Sequence, residues 1–598
     1  MLANKSKIAI WIFDNKERLL KSNRILINLV SIAVFGFMVF RYGFKTEGAL
    51  ESVWIYAIRS FYLFFALNFI FRFSLNKEKL TFVKDNWVEA VLMGLVFINT
   101  ISYIFFPKSQ LQKSTLYNGG GESMYEFSLL FMLLIFAFIE LIKSINFIAS
   151  TKIKPTVLFV LSYILLILIG TGLLMLPGFN TKYVFLNFFD ALFNATSAAC
   201  ITGLSTLNIG EFFNFKGQVL ILILIQIGGI GIISFAAFFA TFIKKGLGIK
   251  HQIIVNELFN NESLSGSFNL LKRVLGLMFG IEIIGSVVLY FLWESYPFES
   301  TSQRIYYSIF HTISAFCNAG FSLFPSGFET KGISNLYLVH WFLSGLIFLG
   351  SLGFPAIRDI FSPTKLRERL NMPWQDWKTS TKIAVYTSGI LSLIGFVAYY
   401  YLSVSKHSEI DKGIGHISVS IFQSMNLRSC GMSSIDIGQI PVPLIMISMF
   451  LMFIGGSSSS TAGGIKTSTF IVAFTAILGT IRGKKEVVLG KRTISTEIIY
   501  RAFAVILFSG NFILLFATIL TFTEKDLPFI KLLFETVSAF TNVGLSMGIT
   551  SELSDIGKII LSISMLAGRV GLLTFAFSLS SKVKSDTIKY PKTHITIG

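Results

Sequence analysis

The chain has 598 residues, 53% of them hydrophobic and only 14% charged, with 63 phenylalanines. A charged fraction about half that of a soluble domain excludes disordered and collagenous classes and points to a helical protein built for lipid. The excess of 51 basic over 32 acidic residues, a formal +19, does not indicate nucleic acid as a partner, because the bases gather in alternate loops between apolar runs.

Six bases (Lys5, Lys7, Lys16, Arg18, Lys21 and Arg24) precede a first apolar run at 25–40. No small-residue cleavage site follows, so this reads as a retained span. Further spans are predicted near 51–71, 87–106, 126–148, 156–176, 218–243, 270–293, 336–357, 380–403, 440–481, 496–522 and 557–580. The run at 440–481 is too long for one simple crossing. These twelve segments define an all-α polytopic membrane protein. Basic clusters at Lys244, Lys245, Lys250, Lys272 and Arg273, at Arg358 to Lys382, at Arg482 to Arg501 and at Lys582 to Lys592 fall on one side when the spans alternate. The N-terminal segment and Lys77, Lys79 and Lys84 fall there too, so both termini are expected in the cytoplasm.

Between the long spans lie four short segments that align: NATSAACITGLST at 194–206, HTISAFCNAGFSL at 311–323, FQSMNLRSCGMSS at 422–434 and ETVSAFTNVGLSM at 535–547. Each has one glycine in register (Gly203, Gly320, Gly431 and Gly544), at intervals of 117, 111 and 113 residues, and a serine two residues later (Ser205, Ser322, Ser433 and Ser546). Each is too short and polar to cross a bilayer, and long spans flank it. The pattern predicts helix, re-entrant pore loop, helix, four times around one central pore, preceded by about four extra spans. Irregular backbone at membrane depth is tolerated only where it is buried or lines a watery path, and a ring of its carbonyls can replace an ion's hydration shell. Glycine suits such a turn because it adopts positive φ without a Cβ clash. A tight turn in four duplicated hairpins is the plainer alternative.

These residues resemble the filter segments of the Trk/Ktr/HKT superfamily of potassium transporters. Phe453–Thr469 (FIGGSSSSTAGGIKTST) resembles that family's gating loop, Ala567–Thr574 (AGRVGLLT) its arginine segment in the last span, and Gln226–Gly231 (QIGGIG) its glycine-rich span in the first repeat. The resemblance covers about residues 155–580. The chain departs from it at Ser459, where glycine is usual, and at Met432, where phenylalanine is frequent.

The resemblance implies potassium as the transported ion, a carbonyl filter and a loop gate. By position, the coordinating carbonyls would belong to Cys200, Ile201, Thr202 and Gly203, to Cys317, Asn318, Ala319 and Gly320, to Arg428, Ser429, Cys430 and Gly431, and to Thr541, Asn542, Val543 and Gly544. Their side chains vary while the glycine stays, as backbone chemistry requires. Glycine at 203 goes with potassium in the family, and serine there with sodium. Gating would rest on Gly455, Gly456, Gly463, Gly464, Lys466 and Arg569. Four glycines and a serine run make Gly455–Lys466 a poor helix, and a P-loop is excluded because Ile465 separates Gly464 from Lys466. Arg569 stands 12 residues into the last span, where a charge must face a partner or a pore. It is expected to meet the gating loop as a barrier to cations, or to serve as a structural arginine on loop carbonyls. Lys466 either shares that work or snorkels, the second being favoured. Asp190 and Glu535 read as dipole complements or caps of their pore helices, or as attractors of cations.

All three cysteines (Cys200, Cys317 and Cys430) lie in the filters, as small packing residues or as a metal site. No bound organic cofactor is expected. None of the six histidines forms a catalytic pair, and no nucleophile elbow occurs, so an enzyme is not indicated. A rocking-bundle transporter would break helices in paired positions, whereas here one span is strongly interrupted. The domain reading is accessory spans at 1–150, then repeats at 151–250, 251–365, 366–492 with the gating loop at 455–467, and 493–598 with the tail. Expected partners are membrane lipid, a second copy of the chain and a cytosolic nucleotide-binding ring subunit. The last two, and a bacterial inner (plasma) membrane location, come from the resemblance alone.

Overall fold

A computed structural model describes residues 15–44, 51–76, 78–94, 132–133, 135–136, 155–243, 267–372, 374, 376–403, 413–484, 486–490 and 492–571. The predicted span near 126–148, much of that near 87–106, Lys244, Lys245 and Lys250, and the chain beyond Gly571 lie wholly or mostly outside these residues. The chain separates into two compact units, residues 1–152 and 153–598.

In the first unit, α1 (Lys16–Gly43) packs on α2 (Glu51–Leu75), which leads into α3 (Lys79–Asp85). Phe37 fills the contact, edge-on to Trp54 and Phe61. Two polar pairs among these apolar helices satisfy one another, as a low-dielectric setting favours. The Asn23 and Asn68 side chains exchange hydrogen bonds of 3.3 and 2.7 Å, and buried Glu89 accepts from Arg72 at 2.8 Å.

The second unit repeats one motif four times: a long helix, a short helix ending in a glycine segment, and a second long helix. The first repeat comprises α4 (Pro155–Leu174), the short α5 (Phe188–Cys200) and α6 (Phe215–Ile243). The second has α7 (Ser267–Leu292), the short α8 (Thr301–Phe316) and α9 (Tyr337–Leu352), which continues as α10 (Phe354–Phe361) and α11 (Pro363–Asn371). The third has α12 (Thr379–Leu402), the short α13 (Ile414–Asn426) and a divided partner, α14 (Val442–Phe453) and α15 (Thr467–Ile481). The fourth has α16 (Thr496–Thr523), the short α17 (Phe529–Thr541) and α18 (Asp555–Val570).

Capping starts several of these helices. Asn187 accepts from Phe189 N at the head of α5, Ser300 from Gln303 N on α8, and Ser554 from Gly557 N on α18. The short helices then bury their C-terminal halves, Ala191–Cys200 in α5 and Leu532–Thr541 in α17 being almost wholly enclosed.

Each short helix packs against the first long helix of its own repeat and against the second long helix of the repeat before it. Thus α8 touches α6, α13 touches α9, α17 touches α14, and α5 closes the circle on α18. This circular packing makes the four glycine segments neighbours in space although they are more than 100 residues apart in sequence. The outer faces of the long helices carry exposed Leu165, Leu168, Ile283, Ile284, Phe291, Ile390, Leu393, Leu514, Leu515 and Phe522, an apolar surface far larger than water tolerates. Together with helices long and apolar enough to cross a membrane, such as Lys272–Leu292, Thr379–Leu402 and Thr496–Thr523, this makes the fold an all-α polytopic membrane protein.

Three expected spans differ in detail. The run at 440–481 divides into α14 and α15 around irregular backbone. The span near 336–357 stops at Leu352, where Gly353 (φ +82) turns the chain by 108° into α10. In the last span the described helix ends at Val570, one residue after Arg569, with Gly571 at φ +87.

Close packing makes some glycines irreplaceable. A Cβ on Gly350 would coincide with Phe316 O at the end of α8, whereas one on Gly345 of the same helix meets open space. Gly350→Ala is therefore expected to cost about 1–3 kcal/mol as overpacking, seen as earlier thermal unfolding of the detergent-purified protein. Gly345→Ala should leave the transition unchanged.

Candidate functional site: a ring of four glycine segments

The four glycine segments share one backbone course. The residue two before each glycine has positive φ (Ile201 +59, Asn318 +58, Ser429 +115 and Asn542 +53), and so has the glycine itself (+92, +74, +78 and +91). Asparagine accepts this conformation readily, but a β-branched isoleucine in it is strained by about 1–3 kcal/mol. The strain is held by each short helix. Thr202 N, Ala319 N and Val543 N donate to the carbonyls of Ser197, Ser314 and Ser538 at 2.8, 2.7 and 3.0 Å. Gly203 N and Gly544 N donate to the hydroxyls of Ser197 and Ser538 at 3.1 and 3.0 Å. In the third segment Asn426 O takes the amides of Ser429, Cys430 and Gly431 instead.

With these amides engaged, the carbonyls meet across the repeats. Ala319 O lies against Gly203, where a Cβ would stand only 2.6 Å away. Cys430 O lies against Gly320, Val543 O against Gly431 and Thr202 O against Gly544, each so close that a Cβ would overlap it. The contact runs from every segment to the next and closes after four, so the glycines and the preceding carbonyls form a ring. The residues after the glycines (Leu204, Phe321, Met432 and Leu545) are buried in all four segments. The methionine at 432 thus fills an apolar place like the others.

Behind the ring is a second layer that the motif reading missed. The serine two residues past each glycine is tied to a fully buried polar side chain on its own short helix. Ser205 Oγ donates to Asn194 Oδ1 at 2.6 Å, and Ser322 Oγ lies 3.2 Å from His311 Nε2. The Gln423 amide lies 3.0 Å from Ser433 Oγ, and Thr550 Oγ1 bridges Ser546 (2.8 Å) to Glu535. Asn194, His311 and Glu535 each precede their glycine by nine residues, and Gln423 precedes its glycine by eight. This in-register polar position was the available signal. Glu535 sits in the middle of α17 and so is neither a cap nor a dipole complement. Asp190, in the first turn of α5, pairs with Lys558 of α18 at 2.9 Å.

The divided third-repeat span places its loop, residues 454–466, against this ring. Ile454 and Ile465 form a parallel bridge at its neck, and Thr467 N donates to Gly456 O at 3.1 Å. Three segments reach it. Arg428 Nη2 donates to Gly455 O at 3.1 Å. The Asn318 amide lies 3.1 Å from Thr461 Oγ1, with its oxygen better turned toward that hydroxyl. A Cβ on Gly463 would stand 2.7 Å from Thr541 O. Gly455 and Gly456 are equally hemmed, by Gly463 O and by the Ala462 side chain. Gly464 (φ +69) turns the loop back, and Ser459 at φ +63 occupies a left-handed position suited to glycine. The sequence's departure at 459 therefore stands at a point of backbone strain.

Arg569, 6% exposed, donates to Thr461 O in the loop and to Gly228 O in α6. The predicted meeting of arginine and loop is thus present, and the QIGGIG stretch supplies its other acceptor. Gly228 itself cannot carry a side chain because Ala199 O occupies the place. Lys466 does not snorkel: its ammonium turns back to donate to Ala462 O at 2.6 Å. The three cysteines are free and buried. Cys317 Sγ lies 3.8 Å from Glu282 Oε1 on α7, a buried acid the motif reading passed over, which also accepts from Gln226 at 2.8 Å. No cluster of three metal-ligating residues occurs among the described residues.

A closed ring of four glycine segments inside a helical membrane unit is the class of fold in which a polar path through a bilayer can be built. The profile of the TrkH family, described as a cation transport protein, matches residues 131–590, and the chain belongs to that family. The Ktr system potassium uptake protein B of Bacillus subtilis (strain 168) is 36% identical over 454 residues, covering 75% of this chain and 97% of that protein. The potassium/sodium uptake protein NtpJ of Enterococcus hirae is 34% identical, covering 75% and 98%. In fold, the chain is similar to the crystal structure of the potassium transporter TrkH from Vibrio parahaemolyticus, with a TM-score of 0.58, 15% identity, and coverage of 82% of this chain and 96% of that one.

The arginine contacts make the loop's stability testable. Hydrogen bonds from a charged donor contribute about 1.5–3 kcal/mol each. Arg569→Gln should therefore raise thiol-reagent labelling of a cysteine placed at the buried Thr461 by at least about tenfold. The three native cysteines are buried and provide a low background.

Proposed function

We propose that the chain conducts potassium into the cell through the ring, with the sixteen residues 200–203, 317–320, 428–431 and 541–544 presenting backbone carbonyls to the dehydrated ion. The observation that carries this reading is the closed circle in which each glycine accommodates the carbonyl of the neighbouring segment. Four converging carbonyl edges at membrane depth are suited to replacing a hydration shell. The short helices end at the ring, so their C-terminal dipole ends add about half a negative charge each. Relatives named as potassium uptake proteins support potassium, and glycine rather than serine at 203 supports selectivity against sodium.

In this reading the loop 454–466 is the gate, with Gly455, Gly456, Gly463 and Gly464 as its close-packed hinges. Arg569, Arg428 and Lys466 surround it with positive charge, which opposes cation passage while the loop is docked. Opening requires the loop to leave Thr541, Asn318 and Arg428. Glycine contacts without Cβ atoms leave few interlocked groups to extract, so withdrawal breaks mainly the hydrogen bonds of Asn318, Arg428 and Arg569. The repeats at 151–250, 251–365, 366–492 and 493–598 each contribute one quarter of the path, and residues 1–150 serve as accessory spans. A homodimer in the bacterial inner membrane, both termini cytoplasmic, and a cytosolic nucleotide-binding ring subunit that releases the gate complete the proposal. The chain needs no catalytic group for this.

Cation flux into proteoliposomes tests the reading. The wild type is expected to pass potassium and rubidium in preference to sodium. Gly203→Ser, whose side chain would press on Ala319 O, should lower the potassium-to-sodium flux ratio by at least about tenfold, the effect of roughly 1.4 kcal/mol of differential binding. Deleting 456–464 should give leak through a protein otherwise held shut. An intact protein that passes neither ion even after that deletion would contradict conduction.

A further inference from the structure

Beyond the 108° bend at Gly353, α10 runs nearly at right angles to the apolar helix α9 that precedes it, and α11 follows α10 after Ser362. If α9 crosses the bilayer, α10 turns out of that direction at the end of the span and delivers α11 there. No residue of α11 is buried. It displays Leu366 and Leu370, one turn apart on one face, and the chain continues into exposed Met372 and Trp374. Leu370 is 82% and Trp374 79% exposed. An element that buries none of its residues and shows this much apolar surface needs a cover, since each fully exposed large side chain forgoes about 1.5–3 kcal/mol.

The charges identify the cover. Between 354 and 382 the acids are Asp359, Glu368 and Asp376, and each is met by a base of the same segment: Arg369 at 2.9 Å, Lys365 at 2.5 Å and Lys382 at 2.7 Å. That leaves the exposed Arg358, Arg367 and Lys378 as an uncompensated positive surface beside the leucines. Exposed leucines on one helix face and a nearby exposed tryptophan, flanked by unpaired bases, match an anionic lipid headgroup layer. A folded protein partner would not require the right-angle bend.

The same element is wired to the loop. Asp359 accepts from Arg369 with one oxygen and from Lys378 N at 3.0 Å with the other, fixing α11 on α10 and on the start of α12. At the other end of α10, Phe354 N donates to Ser459 O at 3.4 Å and Ser457 N to Ser351 O at 2.9 Å. Ser457 Oγ donates to Leu352 O. A Cβ on Gly353 would stand 2.9 Å from Ser458 O. Any tilt of α11 therefore passes through the bend to Ser457–Ser459.

We propose that α11 with Trp374 is an anionic-lipid anchor that, through α10 and the Gly353 bend, holds the 454–466 loop docked under the glycine ring. The anchor stands on the geometry alone, and its effect on ion flow rests on the conduction reading above. Seated in anionic headgroups, α11 keeps the loop in place. Released from them, it lets the loop leave.

The test uses the full chain with a nitroxide spin label on Leu370→Cys, in vesicles of phosphatidylcholine alone or equimolar with phosphatidylglycerol. In the mixed vesicles the label should be relaxed by oxygen and shielded from a nickel complex in water. Arg358→Gln with Arg367→Gln should shift that seating equilibrium about thirtyfold toward water, each base near an anionic surface being worth about fivefold. In the same mixed vesicles this pair, and separately Leu366→Ser with Leu370→Ser, should raise rubidium leak severalfold toward the level of wild type in phosphatidylcholine alone. None of these residues belongs to the ring or the loop. A label open to nickel in both vesicles overturns the anchor. So does a label shielded from both oxygen and nickel, which would place a protein surface over the helix. A label that moves while leak stays constant overturns the clamp. Absence of flux even after deletion of 456–464 overturns the conduction reading and with it the clamp, while the label still decides the anchor.

Discussion

The structure turns on one steric fact: where each glycine of the ring would carry a Cβ, a carbonyl of the adjacent segment already stands. Ala319 O, Cys430 O, Val543 O and Thr202 O take the four places at Gly203, Gly320, Gly431 and Gly544. That requirement propagates outward. The carbonyls can converge only if the amides beside them are satisfied elsewhere, which Ser197, Ser314 and Ser538 provide on three short helices and Asn426 on the other. The short helices can aim at one point only if each is wedged between its own repeat and the one before. Circular packing of α5, α8, α13 and α17 against α18, α6, α9 and α14 is that wedge. The ring is thus the centre to which the helical packing converges.

Directly against the ring, the chain sets three cations around an irregular loop, Arg428 and Arg569 buried and Lys466 half-buried. Arg428, Lys466 and Arg569 all donate to loop carbonyls, at Gly455, Ala462 and Thr461. Buried charges in a low-dielectric setting persist only with such partners. The arrangement gives the loop many weak points of attachment rather than one strong lock. Its glycines permit contact with Thr541 and Gly463 backbone at distances no side chain allows. A loop held this way has few bulky groups to extract, as the proposed gating role requires.

Much of this was legible in the sequence, and the limits have physical causes. The four glycine segments could be read because backbone chemistry fixes glycine while letting its neighbours vary, so a regular interval survives. The broken third-repeat span was readable from glycine and serine content. Arg569 on the loop followed from the cost of a lone charge in lipid. By contrast, Asn194, His311, Gln423 and Glu535 sit among apolar residues of short helices. Only their partnership with Ser205, Ser322, Ser433 and Ser546 gives them meaning. Glu282 and Gln226 are apart in sequence and meet only through helix packing. Lys466 was misread because hydropathy places a lysine near an interface but says nothing of an acceptor four residues back. The bend at Gly353 was passed over because an apolar run continues across it, although Gly353 followed by Pro355 is a helix-breaking pair.

The most direct measurement is anomalous diffraction from crystals of the protein in rubidium salts. The account predicts a rubidium peak on the axis enclosed by Gly203, Gly320, Gly431 and Gly544, within coordination distance of the carbonyls of residues 200–203 and their counterparts. An ordered ring with no peak on that axis, or a peak held instead at Glu282 or Glu535, would contradict it.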